Sequence, residues 1–282
     1  MTMTRSPKDR LRGMARLLLV GLVLGRAAAA WCVRPANRRT AVGRAFWMQA
    51  TCRRLLRVLG VSVASGAAGM AAERSRVSPG GMIVCNHLGY LDILVLGAAV
   101  PAVFVAKREV RGWPVFGLFA RMAGTLFVDR SRRGDVARVA AEMTATLATG
   151  VCVVVFPEGT SGDGSRVLPF RPALLEPAVR QHGPVTPAAL DYAVPAGRSA
   201  AAEVCWWGDM DLAPHLLNLA TIPRIQARLA FGEAALATGN MDRKMLASLL
   251  YGRVAALREP DLADGANGLL AGSGFPLFFS GT

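Results

Sequence analysis

Three histidines, at 87, 182 and 215, are all that 282 residues contain, and no cysteine or carboxylate stands beside them at ligand spacing. The side chains that hold zinc are therefore missing as a set, and no metal is expected. The five cysteines, at 32, 52, 85, 152 and 205, are odd in number, widely spaced and free of any C-x-x-C. That excludes a disulfide framework and suits a reducing, cytosolic-facing compartment. Aromatics are few, 7%, and no basic stretch is interleaved with stacking rings, so nucleic acid is not expected as a partner. "GxxxxGK[ST]" is absent, and "GDGSRV" is no dinucleotide fingerprint, which leaves nucleoside triphosphate and nicotinamide chemistry without support. Internal repeats are also missing.

Acidic residues are scarce too: 33 Lys and Arg face 19 Asp and Glu, a formal charge of +14, in a chain that is 52% hydrophobic. So basic and so apolar a composition points to an anionic membrane surface as partner. The first apolar run, Leu17–Gly25, holds nine positions before Arg26, short of the ~18 that a spanning helix needs. Its basic start and Ala-rich end also resemble a secretory signal peptide, although the unpaired cysteines argue against export. Further on, "GRAFWMQATCRRLLRVLG" places Trp47, Met48, Thr51, Leu55, Val58 and Leu59 within about 120° at helical spacing, with Arg53 and Arg57 opposite. This predicts a basic amphipathic helix at the membrane interface, on the cytoplasmic face. Residues 1–60 are accordingly read as membrane-associating helices, 61–258 as the main domain, and the Gly-rich 259–282 as a loosely ordered tail.

From residue 81 short β-like runs alternate with helical ones. Strands are expected at 82–85, 102–106, 125–130, 151–156, 185–192, 203–207 and 224–231, and helices at 91–100, 113–122, 134–148, 172–181 and 241–257. The alternation predicts an α/β domain with a mostly buried sheet flanked by helices.

Within "VCNHLGYLDILVLG", residues 84–97, an imidazole and a carboxylate lie five positions apart. On one helix His87 and Asp92 would stand about 140° apart and could not easily meet. A strand at 82–85, a turn at 86–90 and Asp92 in the first helical turn would instead fold the imidazole back onto the carboxylate. Three further stretches fall at strand ends: "GTLFVDRS" (124–131), "FPEGTSGDG" (156–164) and "GPVTPAAL" (183–190). Active sites of open α/β sheets gather at such ends. Each stretch alone is commonplace, since an Arg ending a strand is usually a solvated flank and "PEGT" a plain turn.

His-x4-Asp, Gly-x-x-Phe-x-x-Arg, Phe-Pro-Glu-Gly-Thr and Val-x-Pro, in this order, resemble the four motifs of the glycerolipid acyltransferases, the 1-acylglycerol-3-phosphate (lysophospholipid) acyltransferase family. The resemblance covers roughly residues 75–235. It implies an α/β acyltransferase core anchored by N-terminal helices, and acyl transfer from acyl carrier protein or coenzyme A to a lysolipid hydroxyl, with the thioester as co-substrate and no other cofactor. It matches His87 and Asp92 to the catalytic pair, Arg130 and Glu158-Gly159-Thr160 to the acceptor-binding motifs, and Pro187 to the last block. "AKREVRGWPVFG" is similar to the segment after the family's second strand, where a lysine like Lys107 lies near the active site.

The chemistry fits the same roles. A lipid hydroxyl needs a general base to attack a thioester, and an imidazole with an ordinary pKa near ~6.5 suits neutral pH. Asp92 would orient it, as a carboxylate does in hydrolase triads. "GTSGD" lacks the last Gly of G-x-S-x-G, so direct transfer is expected rather than an acyl-enzyme. Many family members carry Arg directly after "PEGT", a ready phosphate ligand; here Ser161 stands in that place. The stretch "TSGDGSRVLPF" is more similar to members that acylate lyso-ornithine lipid. Because Arg130, Arg166 and Arg171 remain for an anion, 1-acylglycerol-3-phosphate is the first expectation for the acceptor and lyso-ornithine lipid the second. A non-catalytic membrane-binding relative and a lipid hydrolase are the readings outside this class.

Overall fold

The computed structural model describes residues 6–64, 69–129 and 131–258. Its strands are β1 (Val61–Ala64), β2 (Met82–Cys85), β3 (Ala102–Lys107), β4 (Leu126–Val128), β5 (Cys152–Val155), β6 (Val185–Ala193) and β7 (Ile225–Phe231). The helices are α1 (Pro7–Cys32), α2 (Ala41–Leu59), α3 (Gly69–Ser75), α4 (Tyr90–Ala99), α5 (Phe116–Ala123), α6 (Arg133–Leu147), α7 (Glu176–Gln181), α8 (Ala200–Glu203), α9 (Leu212–Leu219) and α10 (Arg243–Arg258). The seven strands form one sheet in the order β1-β7-β6-β2-β5-β3-β4, parallel except where β6 meets β7.

Strand β2 shows why the sheet is buried. Ile83 and Cys85 pack on one face with Leu91, Val95 and Leu96 of α4 and Cys52, Leu56 and Leu59 of α2. Met82 and Val84 pack on the other with Val139 and Met143 of α6 and Leu246 and Leu250 of α10. All four β2 residues are therefore buried, and a continuous apolar run such as "MIVC" is what a two-sided core selects. Burying each such side chain is worth roughly 1.5–3 kcal/mol, which ties α2 firmly to the sheet. The side of α2 expected at the membrane interface thus packs within the protein, with Trp47, Thr51, Leu55 and Leu59 buried.

Helix α1 runs through Arg26, and by length and composition it is long and apolar enough to cross a membrane. Both of its halves are held against the body. Arg12 donates to the Thr221 carbonyl at 3.0 Å, and Arg16 to Ala220, Ile222 and Pro223, carbonyls left without helical partners where α9 ends. Gly13 lies so close to Thr221 that an added Cβ would meet its methyl at 3.0 Å. At the other end Trp31 packs on Trp47 with ring centroids 5.2 Å apart, and Trp47 Nε1 donates to the Ala27 carbonyl. The outward face leaves Leu11, Met14, Leu18 and Leu22 uncovered, Leu18 at 73% exposure.

Six of the seven expected strands are present, with β4 shorter than expected. Residues 203–207 are the exception. Ser199 caps the short helix α8 by accepting from Ala202 N–H, and Cys205 and Trp206 then cross the end of the sheet without joining it. The helix expected from 113 begins at Phe116, after Pro114. Residues 259–282, read from sequence as a tail, lie outside the described residues.

Candidate active site

Parallel strands β2, β5, β3 and β6 all end on the same edge of the sheet, and there the motifs converge. His87 follows β2 on the turn to α4, and Asp92 is the third residue of that helix. His87 Nδ1 lies 2.7 Å from Asp92 Oδ2. The same oxygen accepts from the N–H groups of Leu88 at 2.6 Å and Gly89 at 2.9 Å, so the carboxylate caps the very turn that carries the imidazole. Asp92 is fully buried, whereas the His87 side chain keeps 22% of its surface exposed. With Nδ1 turned to the carboxylate as donor, Nε2 carries the free lone pair. The ring lies flat on Phe156 at the end of β5, with centroids 4.1 Å apart.

The turn is fixed from several sides. Asn86 bridges to β6 twice, donating to Leu190 O at 2.9 Å and accepting from Leu190 N at 2.8 Å. Trp206 N donates to Leu88 O at 2.7 Å, and a Cβ on Gly89 would strike that same nitrogen at 2.9 Å. Only glycine permits so close an approach. His215 Nε2 lies 3.1 Å from the Cys205 carbonyl, which requires it to donate, so Nδ1 accepts from the Tyr90 hydroxyl at 2.8 Å. Burial holds His215 below its ordinary pKa, in keeping with that neutral form.

The loop after β5 folds over the dyad. Pro157 and Gly159 shape a turn closed by Gly159 N donating to Phe156 O, and Gly159 takes φ +77°, where a side chain would be strained. Gly162 N then donates to His87 O at 2.8 Å. Arg258, at the end of α10, donates to Gly164 O and is held by Asp191 at 2.8 Å. Glu158 is buried, at 4% exposure, and accepts from Leu168 N–H at 3.2 Å. Burial raises its pKa to about 8, so at neutral pH it is mainly protonated and can donate as well as accept.

Thr160 is exposed beside this loop, and Lys107 is exposed at the end of β3, two strands from β2. Next to Lys107 an open depression of about 700 Å³ is lined by Arg108, Glu109, Arg111, Gly112, Arg121 and Asp129. Arg130 lies outside the described residues. Pro187 sits within β6 opposite Val84. Among the described residues no three His, Cys, Asp or Glu side chains come together as metal ligands.

A family model described as Acyltransferase matches residues 70–191, the span from α3 into β6 that carries His87, Asp92 and the Glu158 loop. A lyso-ornithine lipid O-acyltransferase of Brucella abortus (strain 2308) is 40% identical over 192 residues, 64% of this chain and 72% of the relative. The chain belongs to the glycerolipid acyltransferase family. A second lyso-ornithine lipid O-acyltransferase, from Rhodobacter capsulatus, is 34% identical and covers 76% of both chains. A 1-acyl-sn-glycerol-3-phosphate acyltransferase of Neisseria meningitidis serogroup B is 31% identical over 65% of this chain and 71% of its own. The crystal structure of the 1-acyl-sn-glycerophosphate acyltransferase PlsC from Thermotoga maritima superposes with a TM-score of 0.64 over 88% of this chain and 93% of the other, at 18% identity, and so shares the fold. As a member of this family the protein is an acyltransferase that acts on lysolipids.

Sequence reasoning missed Phe156 as the platform under His87, the Tyr90–His215 bond, and Tyr192, whose hydroxyl reaches Asp92. The two tyrosines act across 125 and 100 residues of sequence, a separation that no local spacing records.

Proposed function

We propose that this glycerolipid acyltransferase moves an acyl chain from an acyl carrier protein or coenzyme A thioester to the hydroxyl of lyso-ornithine lipid, with His87 as general base. His87 Nε2 takes the proton of the acceptor hydroxyl as its oxygen attacks the thioester carbonyl. The tetrahedral intermediate collapses with cleavage of the carbon–sulfur bond, and the imidazolium returns its proton to the leaving thiolate. The products are an ester and a free thiol. Asp92 keeps Nδ1 protonated and stabilises the transient cation.

Ser161 carries the choice of acceptor. It stands in the loop over the dyad where a phosphate-binding member has arginine, and Asp163 follows it, so the segment between Glu158 and Gly164 bears no basic side chain. An amino-acid head group, with an ammonium of its own, suits such a loop better than a phosphate dianion, and the 40% identity to a lyso-ornithine lipid O-acyltransferase agrees. The opposing reading, 1-acylglycerol-3-phosphate, draws support from Arg166 and Arg171 on the same loop's far side, both exposed. Protonated Glu158, with Gly159, Thr160 and Arg130, would contact the acceptor. Lys107 and the depression beside it, with Arg108, Arg111 and Arg121, would bind the anionic groups of the donor.

Membrane association is supported by the uncovered Leu11, Met14, Leu18 and Leu22 on α1 and the exposed Phe46 of α2, in a chain of net charge +14. Because both halves of α1 are held to the body, this surface would enter the cytoplasmic leaflet of the membrane from one side. A panel of lysolipids offered with a labelled thioester tests the acceptor: kcat/KM should be higher for lyso-ornithine lipid than for 1-acylglycerol-3-phosphate, and Ser161→Arg should narrow or reverse that preference. The opposite ranking in the unaltered protein would overturn the assignment.

A further inference from the structure

Asp92 accepts four hydrogen bonds, three of them on one oxygen. Oδ2 takes His87 Nδ1, Leu88 N and Gly89 N, whereas Oδ1 takes the Tyr192 hydroxyl at 2.7 Å. Among the described residues Tyr192 is the sole partner of Oδ1. We propose that Tyr192 is a positioning residue for the reaction, one that fixes the plane of the Asp92 carboxylate and through it the orientation of His87. The assignment rests on the general-base reading of His87.

The register of β6 explains how the phenol gets there. Cys85, the last residue of β2, pairs with Ala188, and β6 continues beside the turn, tied to Asn86 at Leu190. Two residues later Tyr192 still pairs with Ala227 of β7, so its backbone is anchored in the sheet while its side chain packs beside the first turn of α4. Rotation about the Cβ–Cγ bond moves both oxygens, so the three donors on Oδ2 and the hydroxyl on Oδ1 hold the carboxylate plane from its two sides. The hydroxyl also satisfies the second oxygen of a carboxylate that is completely buried. Burial and the adjacent Asp92 charge push the Tyr192 phenol well above its ordinary range, so it remains a donor throughout the working pH range. Tyr192 touches neither acceptor nor thioester on this account. Its loss should therefore affect turnover and leave substrate affinity alone.

Tyr192→Phe keeps the ring and removes only the donor. In the full-length protein, with labelled acyl donor and lysolipid, kcat should fall roughly tenfold, equivalent to about 1.4 kcal/mol of activation free energy. The KM values for donor and acceptor should stay within about twofold of wild type, and the melting temperature within a few degrees, as expected for removal of an interaction felt only at the chemical step. His87→Ala is measured alongside. An inactive His87→Ala beside a Tyr192→Phe variant of undiminished kcat overturns the Tyr192 assignment alone. An active His87→Ala removes the general-base reading and this assignment with it. A Tyr192→Phe variant whose losses lie in KM and melting temperature instead of kcat would make Tyr192 a packing residue and likewise sink the inference.

Discussion

Replacing Glu158 by Gln tests the protonation state of the site in a way that its position in the loop makes quantitative. The carboxyl is 4% exposed and accepts from Leu168 N–H, and burial raises its pKa from 4.5 to about 8 against the lowering effect of the Leu168 and His87 backbone donors. Between those values the unfolded chain has released its proton and the folded chain has not. Folding is then favoured below pH ~4.5 and loses that contribution progressively as pH rises toward about 8. At about 1.36 kcal/mol per pH unit the whole span has a ceiling of roughly 5 kcal/mol, and the portion between pH 6 and 8 is about 2–3 kcal/mol. For a chain of this size that corresponds to roughly 5–10 °C in melting temperature. Gln has the same shape, accepts from Leu168 N–H and cannot ionise. Thermal unfolding in detergent should therefore show wild type losing this much more stability than Glu158→Gln from pH 6 to 8, with the variant at least as stable at pH 8. Comparing the two slopes cancels the three histidines, which titrate in both proteins. Parallel slopes, or a variant less stable by several kcal/mol at pH 8, would mean that Glu158 is ionised in the fold and refute the reasoning.

Gly89→Ala should cost about 1–3 kcal/mol and most of the activity, because its Cβ would meet Trp206 N at 2.9 Å and push the turn away from Asp92; chemical unfolding beside the transfer assay reads both. Changing Leu18 and Leu22 together to Gln should reduce co-sedimentation with anionic vesicles several-fold and leave the melting temperature unchanged, since both side chains are exposed; undiminished sedimentation would place the membrane contact elsewhere. Arg130→Ala should raise KM for the lysolipid by the equivalent of ~1.5–3 kcal/mol and barely move the donor constant; a donor-specific defect would assign this arginine to the thioester.

The dyad was legible in the sequence because its geometry is local. Five residues separate His87 from Asp92, a strand and a helix flank them, and the turn that joins the two is capped by Asp92 itself. The buried sheet was legible for a related reason: runs such as "MIVC" and "CVVV" occur where both faces are covered. Residues 203–207 were misread because Val204, Cys205 and Trp206 are apolar for a different purpose. They close over the Leu88–Tyr90 turn, and burial without sheet pairing leaves the same composition as a strand. The first helix was cut short at Arg26 by counting an uninterrupted run, although a charge on one side of a helix does not interrupt its backbone. The protonation of Glu158 depends on what the loop packs against, and Tyr192 is set by strand register; neither is written in neighbouring residues.

The central claim is that His87 removes the proton of a lysolipid hydroxyl while Asp92 holds it in place. Initial rates of acyl transfer from a labelled thioester to lyso-ornithine lipid, measured for wild type and His87→Ala in the same vesicles, test it most directly. The account predicts transfer by the wild type, and less than a tenth of that turnover in the variant with its fold and vesicle binding intact. A His87→Ala protein that keeps more than a tenth of wild-type turnover would contradict it.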